Sequence, residues 1–322
     1  MSHLPSLAEI ESVSSLIDPI VPPTPQYSWP LLNARTGCEL WVKHENHTAL
    51  GAFKIRGLLH YLTLLAAREP AVRGVIAATR GNHGQAVAFA ARRLGLSPTI
   101  VVPRGNSVEK NAAMRAWGAA LIEHGDDFQA ALLHSRQLAT ERNLHAVPSY
   151  HRDFVTANAG SALTFLRRAP ALDRVYVPIG LGSGICAMLA ARDALGLKTA
   201  VIGVVSDLAP GVALSFASGR LTEAPATTRI ADGLACSTPH PEALEHILRG
   251  AARIVRVTDA EVEAAMRIYF SDTHNVAEGA AGAGLAAVLR ERDALAGQRV
   301  GVVFTGGNVD ADVFAAVLAG RS

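Results

Sequence analysis

Short apolar runs alternate with amphipathic stretches along most of this chain. The runs fall at residues 39–43, 74–78, 99–102, 120–123, 144–147, 174–178, 199–205, 253–257 and 299–304. Between them lie segments with apolar positions at helical spacing, at 8–17, 54–68, 81–94, 108–117, 128–142, 154–168, 184–195, 259–270, 275–292 and a last one ending at Leu318. Apolar strands alternating with helices of about 10–15 residues predict an α/β fold of open, twisted parallel sheets buried on both faces. Nine strands are many for one compact sheet, so two α/β units are expected. Residues 51–149, with three or four strand–helix repeats, form the smaller unit; 1–50 and 150–322 form the larger. Val21-Pro22-Pro23-Thr24-Pro25 is predicted extended, because proline fixes φ and removes donors. Residues 207–235 lack a regular period and predict a long loop with one short helix.

Composition narrows the classes. Over 322 residues, 49% hydrophobic and 18% charged residues describe an ordinary globular protein. A formal charge of +2 without like-charge blocks argues against nucleic acid or a membrane surface as partner. No apolar run approaches the roughly 20 residues of a membrane span, and the acidic first 20 residues do not read as a secretory signal. Cys38, Cys186 and Cys236 are odd in number and widely spaced, which suits a reducing cytoplasm and no metal.

Lysine is scarce, at Lys43, Lys54, Lys110 and Lys198 only, so it does not serve as generic surface charge. Lys54 sits between Phe53 and Ile55, with Gly51 and Gly57 three residues away on either side. Such a lysine either snorkels to water or, stripped of hydration, becomes an amine nucleophile for an aldehyde. Three polar or glycine-rich turns follow predicted strands, where parallel sheets bind ligands: 79–84, 180–184 and 305–308. Gly180-Leu181-Gly182-Ser183-Gly184 reads as an anion cradle opening a helix, or as a plain tight turn. Its spacing fails both the dinucleotide and the P-loop patterns. Asn82 could bond a ligand oxygen or cap its helix, His83 could pack, cap or act as acid–base, and Thr305 could meet a ring nitrogen or a local backbone group.

An amine, a phosphate cradle, an amide and a hydroxyl match the handles of pyridoxal phosphate. The motifs resemble the fold-type II pyridoxal-phosphate enzymes, the threonine/serine dehydratase and serine racemase branch of the tryptophan synthase β superfamily. Ala52-Phe53-Lys54-Ile55-Arg56-Gly57 is similar to that family's cofactor-lysine motif, Gly81-Asn82-His83-Gly84-Gln85 to its Ser-Gly-Asn-His loop, 178–184 to its glycine loop, and 305–310 to its Ser-Gly-Gly-Asn-Val-Asp turn. Residues 230–233 and 278–280 are family-like too. The resemblance covers nearly the whole chain and implies a cofactor held in the cleft between two domains.

By that resemblance, Lys54 would hold the cofactor as a Schiff base and move the substrate Cα proton. Phe53 would pack on the ring, Asn82 would bond its phenolic oxygen, and Thr305 would face the pyridine nitrogen. Residues Gly180, Leu181, Gly182, Ser183 and Gly184 would hold the phosphate, and the turn Thr79, Arg80, Gly81, Asn82, His83 would receive the substrate carboxylate. Arg80 stands where the racemases have a serine acid/base; arginine does not deprotonate, which disfavours racemisation. The position matching a relative's cation ligand is Val205, with Asp207 two residues on, so no metal is expected. The chain ends soon after the Thr305 motif, so no regulatory domain is expected.

The implied activity is a dehydratase, a carbon–oxygen lyase turning a 3-hydroxy amino acid into a 2-oxo acid and ammonia in amino-acid catabolism, as a cytoplasmic homodimer. The turns look closer to phenylserine or hydroxyectoine-breakdown dehydratases than to plain threonine deaminase. A β-replacement synthase and a non-catalytic binding protein stay open as alternatives.

Overall fold

A computed structural model describes residues 3–321; Met1, Ser2 and Ser322 lie outside it. Ten strands form: β1 (Gln26–Ser28), β2 (Glu39–His44), β3 (Gly74–Ala78), β4 (Ser97–Val102), β5 (Ala120–Glu123), β6 (His145–Ala146), β7 (Arg174–Pro178), β8 (Ala200–Ser206), β9 (Arg253–Val257) and β10 (Arg299–Phe304). They build two sheets, as the pattern predicts. The larger runs β1-β2-β10-β7-β8-β9 and the smaller β5-β4-β3-β6. All neighbours are parallel except β1, which pairs antiparallel with β2. Strand β1 is the tenth, unforeseen one: three residues are too few to show alternation.

Parallel strands covered on both faces should be apolar, and the central ones are. All five residues of β3 are buried, as are the last four of β7 and the last six of β8. Each large side chain so enclosed contributes about 1.5–3 kcal/mol relative to exposure. Helix Lys54–Arg68 starts at the predicted lysine and packs on Asn82–Arg93 and Arg152–Arg168. It thereby joins the small sheet to the large one.

Among the helices that escaped the sequence pattern are Pro30–Thr36 and Pro241–Gly250, each with proline in its first turn. A helix expected from residue 275 begins instead at Gly279. His274, at φ 53°, ends the preceding helix, the Asn275 amide folds back onto Thr273, and the Glu278 N–H donates to the Gly306 carbonyl. Residues 275–278 are thus held as an irregular strap along the turn after β10. The 207–235 region carries the short helix Gly211–Ser218. No helix among the described residues is long and apolar enough to cross a membrane.

Candidate active site

A cleft of about 340 Å³ opens between the two sheets, at the carboxyl ends of β3, β7 and β10. The three turns singled out by the sequence meet there. Phe53, Lys54, Thr79, Arg80, Gly81, Asn82, His83, the whole 180–184 loop and Thr305 all line it.

The Lys54 loop is tied by backbone to the turn after β10. Ala52 and Gly306 form an isolated antiparallel bridge, the Phe53 N–H donates to the Thr305 carbonyl at 3.1 Å, and the Gly307 N–H to the Gly51 carbonyl at 2.9 Å. Lys54 then opens its helix. Its amine makes no hydrogen bond among the described residues and lies 5.1 Å from the Phe53 ring centre. Burial draws its pKa down, against the milder opposing pull of Cys236 and Glu278. A larger share of free amine, with no partner to break, is what attack on a carbonyl needs.

The 180–184 loop feeds helix Ser183–Ala194. Gly182 caps that helix at φ 106°, a conformation that strains any other residue, and an added Cβ would stand 2.8 Å from the Ala243 side chain. At Gly180 an added Cβ would meet the Gly233 carbonyl at 2.4 Å. Backbone N–H groups at this helix start face the cleft with the positive end of the helix behind them, a ready anion site.

Asn82 is the first residue of its helix, after Gly81, and does not cap it. Its amide is held at both ends. The Asn308 Nδ2 donates to Asn82 Oδ1 at 2.8 Å, and Asn82 Nδ2 donates to both Glu278 oxygens at 2.8 and 3.0 Å. Burial raises the Glu278 carboxyl to about 7, partly offset by Lys110. Lys110 Nζ is 2.6 Å from Asp232 Oδ2. Burial also lowers His83 to about 3, with Lys54 adding repulsion, so its ring is neutral. Sequence reasoning missed Glu278, Lys110, Asp232 and Cys236 as cleft residues, although they line it with the rest. Lysine scarcity was the signal for Lys110.

Three features of this chain fit pyridoxal phosphate. Among the described residues the Thr305 hydroxyl is buried without a partner, both His83 ring nitrogens are likewise unpartnered, and the helix-opening 180–184 turn shares the cleft with an amine that makes no hydrogen bond. Orphaned buried polar atoms cost free energy unless a ligand or water meets them, so a cleft that keeps several is built around a polar guest.

Comparison with known proteins agrees. Residues 17–306 match the family model described as pyridoxal-phosphate dependent enzyme. The chain is 30% identical over 319 residues to the L-threo-3-hydroxyaspartate ammonia-lyase of Saccharomyces cerevisiae, covering 99% of this chain and 98% of that one. It is 31% identical over 314 residues to a catabolic L-threonine dehydratase of Staphylococcus aureus, covering 96% and 90%. Among solved structures, a T.th. threonine deaminase superposes with a TM-score of 0.88 at 28% identity, covering 95% of this chain and 99% of that one. A pyridoxal 5′-phosphate-dependent aspartate racemase reaches 0.90 at 26%, covering 97% and 98%. The chain belongs to the pyridoxal-phosphate dependent enzymes, in their fold-type II, threonine/serine dehydratase-like branch, and is a lyase that uses pyridoxal 5′-phosphate.

Proposed function

We propose that this enzyme dehydrates a small 3-hydroxy amino acid to a 2-oxo acid and ammonia. The observation that carries this reading is the unpaired, desolvated Lys54 amine, set in one cleft with the 180–184 turn and the partnerless Thr305 hydroxyl. Its relatives, an ammonia-lyase for L-threo-3-hydroxyaspartate and a threonine dehydratase, support it.

Bound pyridoxal phosphate supplies an aldehyde that condenses with the substrate amine and a ring that takes up electrons from Cα. The chain's own residues do the rest. Lys54 would hold the cofactor and, once free, would serve as the general base for the substrate Cα proton. The 180–184 N–H groups would hold the phosphate. Phe53 would pack on the ring, and Asn82, held by Asn308 and Glu278, would meet the phenolic oxygen with one of its two amide hydrogens turned from Glu278. The turn 79–83 receives the substrate carboxylate through N–H groups at the start of its helix. Thr305 offers a neutral hydroxyl to the ring nitrogen. A hydroxyl would not keep that nitrogen protonated as a carboxylate would, so the bound ring would be the weaker electron sink. Arg80, a permanent cation among the described residues without an ion-pair partner, stands at the same turn and cannot return a proton to Cα. Elimination rather than racemisation follows.

The test is an absorption spectrum of the purified protein, then 2-oxo acid release from serine, threonine, 3-hydroxyaspartate and phenylserine. Release from at least one of them is expected. Turnover only when a thiol or indole is added would replace the reading with β-substitution, and bound cofactor without ammonia release would refute catalysis.

A further inference from the structure

Behind the cleft lies a second, smaller chamber of about 40 Å³. Phe53, Pro178, Gly184 and Thr305 line both spaces, so the chamber is the back room of the cofactor pocket. Its far wall is charged and polar: Lys43, Glu45, Arg56, Asn158 and Ser161. Lys43 and Glu45 are each 1% exposed and Arg56 2%.

Most of that wall is saturated. Glu45 accepts from the Thr24 and Ser161 hydroxyls and from Arg56 Nε. Arg56 also donates to the Val21 and Pro22 carbonyls at 2.8 Å each. Three groups are left over. Lys43 Nζ donates once, to the Thr24 carbonyl at 2.8 Å, although an ammonium has three hydrogens. Asn158 Oδ1 and Thr305 Oγ1, on residues 6% and 7% exposed, have no partner among the described residues. A water needs roughly 10–15 Å³ of such volume and two to four polar neighbours. The chamber offers both.

We propose that this chamber is a hydration site in which ordered water links the Lys43 ammonium to the Thr305 hydroxyl, making Lys43 a positioning residue for the cofactor ring nitrogen. This rests on the reading that Thr305 faces that nitrogen. The polarity of the chain follows from donor inventory. An ammonium only donates, so the water beside it accepts and must aim its own hydrogens elsewhere. The unpartnered acceptors in the described lining are Asn158 Oδ1 and Thr305 Oγ1. Once Thr305 accepts from behind, its own hydrogen is left for the cleft, where it donates to an unprotonated ring nitrogen. The buried positive charge of Lys43 further opposes a proton on that nitrogen. A deprotonated Lys43 becomes an acceptor and the chain reverses, freeing Thr305 to turn away. Burial lowers Lys43 to about 8; Glu45 and Asp18 pull against that, while Arg56 and Arg168 reinforce it.

The test begins with crystals of cofactor-free protein. Ordered water is expected within about 2.6–3.2 Å of both Thr305 Oγ1 and Asn158 Oδ1. A dry chamber, or a Thr305 hydroxyl bonded to protein, overturns the proposal. In the loaded enzyme, the bound cofactor's absorbance should show a transition near pH 8 that Asn158→Leu abolishes by filling the chamber. Lys43→Met should abolish it too; if that variant fails to fold, Asn158→Leu alone decides. A transition that persists in a folded Asn158→Leu protein refutes the link. Failure of the dehydratase reading would look different, as no 2-oxo acid from any substrate with both readouts intact.

Discussion

Lys43 and Lys54 stand eleven positions apart, both have lowered pKa values because water is kept from them, and their surroundings differ completely. Around Lys43 the protein has built a nest: a backbone carbonyl, the Glu45 carboxylate, and Arg56 with carbonyls of its own. Around Lys54 it has built a ring face, an open cleft and no hydrogen-bond partner among the described residues. Charges met mostly by the fold touch no guest themselves, and at Lys43 only the hydrogens left over can act on one, through water. A polar group left unsatisfied costs stability and gains meaning only when a guest arrives.

The sharpest way to break this contrast is at Lys54. Lys54→Ala should lower kcat by at least about 10⁴-fold, the upper end of what a general base contributes, since it also removes the cofactor's tether. The variant should stay as resistant to urea as the cofactor-free parent. Retained 2-oxo acid release, or collapse of the fold, would erase the distinction. Glu45→Ala probes the other region and should do the reverse. Leaving Lys43 and Arg56 buried beside an empty place should cost about 3–5 kcal/mol in urea unfolding.

Glu278 lies between the two types, buried yet bonded. Its carboxyl holds a proton to about pH 7 when folded and to about 4.5 when unfolded. Between those values the folded state binds more protons, so this group's contribution falls as pH rises. Glu278→Gln removes that slope, and its cofactor-free form should gain up to about 3 kcal/mol over the parent between about pH 5 and about pH 8. An equal difference at both values would contradict the assignment. The smallest effect is expected at Gly182→Ala. Forcing a side chain into the left-handed region costs about 1–2 kcal/mol and should weaken cofactor binding about tenfold in equilibrium dialysis.

The buried strands were legible because burial on both faces leaves only apolar residues, as in β3, β7 and β10. Short elements were not. Strand β1 and helix Pro241–Gly250 depend on neighbours distant in sequence, and the 275–278 strap is decided by a hydrogen bond to Gly306. In the cleft, glycine spacing and an apolar-flanked lysine announced Lys54, Asn82 and the 180–184 loop. Lys110 stood out only by the scarcity of lysine, and Asp232 and Glu278 only as members of family-like stretches, so no local pattern placed them in the cleft. They meet because the small sheet folds over the large one, bringing Lys110 to Asp232 across 122 positions.

The backbone stitching between 51–53 and 305–307 has a mechanical consequence. The amine at position 54 is riveted to the turn bearing Thr305 rather than only to the helix it begins. If the cleft opens and closes, the hinge must run elsewhere, because the amine stays in register with the turn that bears Thr305.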